Sequence, residues 1–344
     1  MRFSIIIPVY NVAAHLVATL ESVRAQSFTD WECLCVDDGS ADASPAILDS
    51  YASRDPRFRV FHQKNAGASE ARNVALDHVS GEFFLFLDGD DLLIPEALSQ
   101  LDAILAQTQA DGLLTDPVFQ EFPTGNMAVV ASWRTKLRTR SVFDKGDLKQ
   151  FVLNSTVQKG FVCGRIYRTS LFASLRFPLQ LEMMEDLVFW LDALLVPARW
   201  ALVDGCCYAY RVHPVSISRV RGRAFYYGIL SMPQGSLLPL AKKLSLSVKE
   251  WRKLWRFYQG AYAGFLRSLF LQWDSFTDDE RNIFAQELGE WKEFFPFQPL
   301  PFLTRIRAWC VFHGHGNGAW VDWIERPLTD FLNALRRLKR RILR

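Results

Sequence analysis

Four short apolar runs near the start of the chain constrain its fold most, because each gives way to a polar turn and then to a helical pattern. Phe3–Val9, Glu32–Val36, Arg59–His62 and Phe83–Leu87 are rich in β-branched and aromatic residues, which predicts four strands. Leu16, Leu20 and Val23 recur at helical spacing after the first, and Asn11 is positioned to cap that helix. Ser44 followed by Pro45 predicts a second helix with Ser44 as its cap. A third is expected over Ser69–Val79, capped by Ser69 and closed by Gly81, and a fourth from Pro95 to about Gln107. Strands alternating with helices predict an α/β fold whose mostly parallel sheet is flanked by helices. Phe83–Leu87 is apolar throughout, as a central strand must be.

Such sheets bind ligands beyond the carboxyl ends of their strands. Tyr10–Asn11 follow the first strand, Asp37-Asp38-Gly39-Ser40 the second and Asp88-Gly89-Asp90-Asp91 the fourth, so the three clusters converge on one rim. Carboxylates one residue apart, as in Asp88 and Asp90, suit a hard divalent cation that keeps part of its shell for substrate phosphates. The same residues also suit an acidic turn. Asp38 offers an acceptor for a base N–H or a ribose hydroxyl, or else simply belongs to a βα turn. Arg72 falls in the first turn of its helix, where a cation opposes the helix dipole and needs an anionic or carbonyl partner. A surface pairing with Glu70 or Asp77 is the alternative.

The motifs Ser4-Ile-Ile-Ile-Pro-Val-Tyr-Asn11, Val36-Asp-Asp-Gly-Ser40, Asn65-Ala-Gly-Ala-Ser-Glu-Ala-Arg-Asn73 and Phe86-Leu-Asp-Gly-Asp-Asp91, in this order, resemble the family 2 glycosyltransferases with the GT-A fold. The resemblance covers about residues 3 to 215. It implies that Pro8 and Tyr10 line a base pocket with Tyr10 stacking on the base, that Asp38 binds the base with help from Arg72, and that Asp88 contacts the ribose beside Gly89. Asp90 would ligate Mn²⁺ or Mg²⁺ holding the donor diphosphate, and Asp91 would support the loop. Glu182-Met-Met-Glu-Asp186 resembles the family's acceptor-side carboxylate motif. Asp186 is then the general base and Glu185 its neighbour or a substrate-orienting group; an acidic helix cap is the plain alternative. Tyr208-Ala-Tyr-Arg-Val-His213 resembles the closing motif, with His213 completing the metal site or touching the diphosphate and Arg211 balancing phosphate charge. Cys163-Gly-Arg-Ile-Tyr167 matches a further family segment, which makes Arg165 structural or near the acceptor. The Gln-x-x-Arg-Trp signature of processive synthases is absent, since Arg199–Trp200 lack the glutamine, so one sugar per encounter is expected.

These readings imply an inverting, metal-dependent transferase. It would move one sugar from a nucleotide-sugar, UDP most commonly, to a hydroxyl of a glycan or lipid-linked glycan in surface polysaccharide synthesis. A dinucleotide-dependent oxidoreductase fails because no G-x-G-x-x-G follows the first strand. A nucleotidyltransferase lacks its glycine-rich basic loop. A non-catalytic membrane adaptor on the same fold remains as the contrasting class. A net charge of only +3 demands no nucleic-acid partner.

The α/β pattern is expected to span residues 1–222 as the catalytic domain. Residues 223–344 read as a helical region for acceptor or membrane binding. Within it, Phe331, Leu335, Leu338 and Ile342 recur at helical spacing among six cations, up to Arg344. Such a helix suits an anionic membrane surface or packs its stripe on the domain. Six cysteines without zinc spacing read as free thiols of a reducing compartment. No signal peptide or spanning segment is evident, Leu187–Val203 being broken by Asp192, Pro197 and Arg199. The expected place is the cytoplasm, either free in it or peripheral on the inner face of the cytoplasmic membrane.

Overall fold

The computed structural model describes residues 1–116, 120–123, 130, 136–154, 161–181, 185–212, 243–245, 247 and 250. The chain divides into two compact units, Met1–Gly228 with Gln234–Leu246, and Ile229–Pro233 with Ser247–Arg344. Every strand and helix named below belongs to the first. His213, Glu182 and the basic segment Phe331–Arg344 lie outside the described residues, as does nearly all of the expected helical region.

The elements follow in chain order as β1 (Phe3–Val9), α1 (Ala13–Arg24), β2 (Trp31–Asp37), α2 (Ser44–Arg54), β3 (Phe58–His62), α3 (Ala68–Leu76), β4 (Phe83–Phe86), β5 (Leu92–Leu93), α4 (Ala97–Thr108), β6 (Gly112–Asp116), β7 (Gln120–Pro123), β8 (Arg138–Phe143), α5 (Leu148–Asn154), β9 (Arg165–Arg168), α6 (Thr169–Phe172), α7 (Glu185–Leu195), β10 (Trp200–Asp204) and β11 (Tyr208–Val212). Eight strands form one sheet in the order β3-β2-β1-β4-β9-β6-β10-β8. Only β9 and β8 run against the rest. The expected mostly parallel, helix-flanked α/β sheet is therefore present. A second sheet, β5-β11-β7, lies beside it.

Burial explains the choice of strands. All seven residues of β2 and all four of β4 are buried. Helix α1 turns Leu16, Thr19, Leu20 and Val23 inward, a stripe at helical spacing. The far half of the sheet packs around Trp190, Trp200 and Tyr167, all fully buried. Trp200 stands edge-on to Trp190 at 5.1 Å and stacks on Phe151 at 5.6 Å.

Three helix starts differ from expectation. Asn11 does not cap α1; it sits at φ +52° and its Oδ1 accepts from the Ala41 amide instead. The open amides at the start of α1 are satisfied from the β2–α2 loop, Val12 N donating to Ser44 Oγ and Ala13 N to Asp42 Oδ2. Ser44 is thus the first residue of its own helix while serving another. Ser69 likewise lies inside α3, whose cap is Gly67 at φ +91°, a conformation that an L side chain resists. The Asn11 and Ser44 hydrogen bonds tie neighbouring rim loops together.

The order 3-2-1-4 reverses beside β1, which puts a switch point between β1 and β4. Their ladder pairs Phe3–Ile6 with Phe83–Phe86, and Leu87 N still donates to Ile6 O. Pro8 faces the same neighbour two residues later and has no N–H to give, so the ladder stops there. Beyond this point the chain after β4 leaves the ladder for the Asp88–Asp91 turn.

Candidate active site

The rim residues come together as expected. Tyr10 stands at the end of β1, half exposed, with Pro8 below it in the strand. Asp38, just past β2, is buried, and its backbone N donates to Val9 O. Its carboxylate accepts from Gln63 Nε2 at 2.7 Å, Ala66 N at 2.7 Å and Gly67 N at 2.9 Å. Asp38 thereby fixes the loop leading into α3. Gln63 had no role in the sequence reading, and nothing in its spacing signalled one.

Gly89 is held by close approach rather than by an unusual φ. A Cβ there would lie 3.1 Å from Val12 Cγ2 and 3.2 Å from Pro8 O. Its carbonyl accepts from Thr19 Oγ1 at 2.9 Å, so the Asp88–Asp91 turn is seated on β1 and α1. Asp88 and Asp90 remain partly open on this turn, whereas Asp91 is 1% exposed. Asp91 points away from the rim, its Oδ1 accepting from Arg211 N and its Oδ2 bonded to Tyr208 Oη, both at 2.7 Å. Burial, with Asp90 and Asp88 nearby, pushes the Asp91 carboxyl well above the usual carboxylate range. The supporting role expected of Asp91 is seen directly.

Arg72 joins the two halves of the site. It is buried, and its guanidinium reaches Asp88 Oδ1 at 3.0 Å, Glu185 Oε1 at 3.0 Å and Asp186 Oδ1 at 3.2 Å. Its partners are neither Glu70 nor Asp77; Asp77 pairs with Arg176 instead. Phe177, stacked on Phe189 at 4.2 Å, lies under the guanidinium at 5.2 Å. The surrounding carboxylates hold the Arg72 charge firmly, outweighing its burial.

Glu185 and Asp186 open helix α7, where its dipole favours carboxylates. Burial pushes the Asp186 carboxyl up to about 7; Arg72 opposes this, while Glu185 and Asp88 add to it. The Val162 amide also donates to Asp186. A carboxyl poised near neutrality is suited to proton transfer. Arg211 is 3% exposed, and its Nε donates to Asp90 O at 2.6 Å, so it braces the turn. Arg165 is fully buried with its guanidinium 3.9 Å over the Trp190 ring. Among the described residues, no three or more ligating side chains stand together as a metal cluster. No described helix is long and apolar enough to cross a membrane. Cys33, Cys35, Cys163, Cys206 and Cys207 are free and buried.

Comparison with known proteins agrees with this arrangement. The model of "Glycosyl transferase family 2" matches residues 4–176. EpsH of Bacillus subtilis (strain 168) is 31% identical over 234 residues, 66% of this chain and 65% of that protein. The poly(ribitol-phosphate) beta-N-acetylglucosaminyltransferase TarS of Staphylococcus aureus (strain Mu50) is 29% identical over 215 residues, 61% of this chain and 35% of that protein. The chain thus spans just under two thirds of the length of EpsH and about a third of TarS. The crystal structure of S. aureus TarS 1–349 in complex with UDP-GlcNAc superposes with a TM-score of 0.66 at 23% identity, covering 91% of this chain and 89% of that one, a likeness of fold. With the family model matching half of the sequence and the rim motifs gathered on one GT-A sheet, the chain belongs to glycosyl transferase family 2.

Proposed function

We propose that the chain is an inverting glycosyltransferase that moves one sugar from a nucleotide-sugar to an acceptor hydroxyl. The observation that carries this reading is the Arg72 bridge, which links Asp88 on the donor rim to Glu185 and Asp186 across it. A donor seated on the rim would bring its anomeric carbon beside a carboxyl poised near 7. The acceptor oxygen attacks that carbon as the carbon–oxygen bond to the diphosphate breaks. Asp186 takes the hydroxyl proton, and the nucleoside diphosphate departs on the opposite face. Glu185 orients the acceptor, and Arg72 holds both carboxylates in place.

On the donor side, Pro8 and Tyr10 would line the base pocket, Asp38 would bind the base and Asp88 the ribose, with Gly89 allowing close approach. UDP is the preferred nucleotide, because a TarS structure holds UDP and another UDP-GlcNAc. Asp88 and Asp90 present hard oxygen donors on a partly open turn, and this donor set fits Mn²⁺ or Mg²⁺. Asp90 would hold the ion, with His213 in its shell, and the ion would offset charge on the departing diphosphate. The acceptor is a glycan or lipid-linked glycan in bacterial surface polysaccharide synthesis. Residues 1–222 form the catalytic domain in this reading. The region 223–344 serves the acceptor or an anionic membrane, with Phe331–Arg344 docking at the inner face of the cytoplasmic membrane.

The test is calorimetric titration of UDP-, GDP- and dTDP-sugars with and without Mn²⁺, repeated on Asp90→Ala. UDP-sugar binding that requires both the ion and Asp90 is expected. A folded protein that binds no donor, yet binds anionic vesicles, would overturn the transferase reading and leave a membrane adaptor.

A further inference from the structure

The buried side of the Asp88–Asp91 turn is organised as carefully as its open side. Tyr208 is 1% exposed, and its Oη accepts from Asp88 N at 3.1 Å while bonding Asp91 Oδ2 at 2.7 Å. The other Asp91 oxygen accepts from Arg211 N at 2.7 Å, and Arg211 Nε donates to Asp90 O at 2.6 Å. Asp91 N closes the turn on Asp88 O at 3.1 Å. Immediately beyond the turn, Leu92 and Leu93 pair with Ala209 and Tyr208 of β11. All three aspartates of the turn are therefore tied, by backbone or side chain, to one short stretch of β11.

We propose that Tyr208, through this double hydrogen bond and with Asp91 and Arg211, is a positioning residue that holds the open carboxylates of Asp88 and Asp90 in cation- and diphosphate-binding geometry. The proposal rests on the transferase reading for what those carboxylates bind. It adds that their direction is set from β11, a strand about 120 residues away in sequence. The Asp88 N–H belongs to the Leu87–Asp88 peptide, so the phenol fixes the plane leading into the Asp88 Cα, and Arg211 Nε on Asp90 O fixes the plane leaving the Asp90 Cα. Tyr208 touches neither donor nor ion in this scheme.

Tyr208→Phe removes both hydrogen bonds and keeps the ring. Asp91→Asn is the conservative partner variant. Its Oδ1 still accepts from Arg211 N and Tyr208 Oη still accepts from Asp88 N, but its amide replaces the acceptor of the phenol O–H. Binding of UDP to the full chain is measured by calorimetry across a Mn²⁺ series up to saturation, beside a thermal melt. Loss of a buried hydrogen bond predicts that half-saturating Mn²⁺ rises about five- to tenfold in Tyr208→Phe. UDP affinity at saturating Mn²⁺ should stay within about twofold, and Asp91→Asn, which keeps the Asp88 N and Arg211 N bonds, should raise half-saturating Mn²⁺ by less than Tyr208→Phe does. A merely structural tyrosine would lower the melting temperature and leave the Mn²⁺ requirement unchanged, and that result overturns the proposal. So does Asp91→Asn raising half-saturating Mn²⁺ as far as Tyr208→Phe, because the Asp88 N–Oη bond, which Asp91→Asn keeps, would then not set the geometry. If wild type itself binds no UDP with Mn²⁺, the transferase reading fails first.

Discussion

Replacing Arg72 with methionine removes a cation that Asp88, Glu185 and Asp186 share. Nη1 lies 3.2 Å from Asp186 Oδ1. Unit charges about 4 Å apart interact by about 4 kcal/mol at an effective dielectric of about 20. Asp186 is 23% exposed, so water entering the vacated space recovers part of this. If about half survives, the carboxyl rises by about one to two pK units. Glu185 and Asp88, freed of the same partner, push it in the same direction. The base works only when ionised, so wild-type kcat/KM should climb with pH through about 7 and then level off. In Arg72→Met that climb should shift upward by about one to two units, making the variant about 5- to 50-fold slower at pH 7, where the wild-type base is about half ionised. The two curves should approach each other near the alkaline end. Initial rates over a pH series give the comparison, and a melt at each pH confirms folding. Arg72→Lys keeps a charge but not the fork that reaches three carboxylates, so its shift should be intermediate. An acid limb at the same pH in wild type and Arg72→Met would refute the pairing of this guanidinium with the titrating base.

Two further substitutions probe the frame around the site. At Gly112, a Cβ would meet Trp200 ring carbons at 2.3 to 2.7 Å, and Trp200 is locked between Trp190 and Phe151. Gly112→Ala should therefore cost about 1–3 kcal/mol by overpacking, read as a lower Tm; an unchanged Tm would mean that the indole has room. His62 is raised above its usual value by its hydrogen bond to Asp37, against burial and with help from Asp49. A histidine raised in the folded state stabilises below its unfolded value near 6.5, and the benefit disappears as pH rises through the folded one. His62→Gln should thus lower Tm most at acidic pH and least at alkaline pH. A Tm difference independent of pH would dismiss the ion pair.

The strands that carry the site could be read directly because burial on both faces leaves continuous apolar runs, as in Trp31–Asp37 and Phe83–Phe86. Their order alone places Asp38 and Asp88 on one rim. Local capping was less legible. Asn11 and Ser69 have the right chemistry in the right place, yet amides from other loops took those hydrogen bonds or a glycine took the position. Arg72 shows the limit most clearly. Its placement in a first helical turn required an anionic partner, but Glu185 and Asp186 are more than 110 residues away, and no local period reports such a contact. Strand β9 was equally hidden, since it runs antiparallel between β4 and β6, and both pairings are distant in sequence. Tyr208 stood inside a recognisable motif, but its role depends on an amide 120 residues earlier.

Pro8 carries a consequence for the energetics of binding. The β1–β4 ladder already runs the full length of β4, Phe83–Phe86, with Leu87 N on Ile6 O beyond it. With an imino acid at position 8, β1 has no amide there to carry the pairing further toward the Asp88–Asp91 turn. The rim end of the ladder is fixed by covalent chemistry, so a donor arriving there has no amide pairing at position 8 to displace. Free energy of association is not consumed in breaking such a bond, and more of it is left to discriminate among donors.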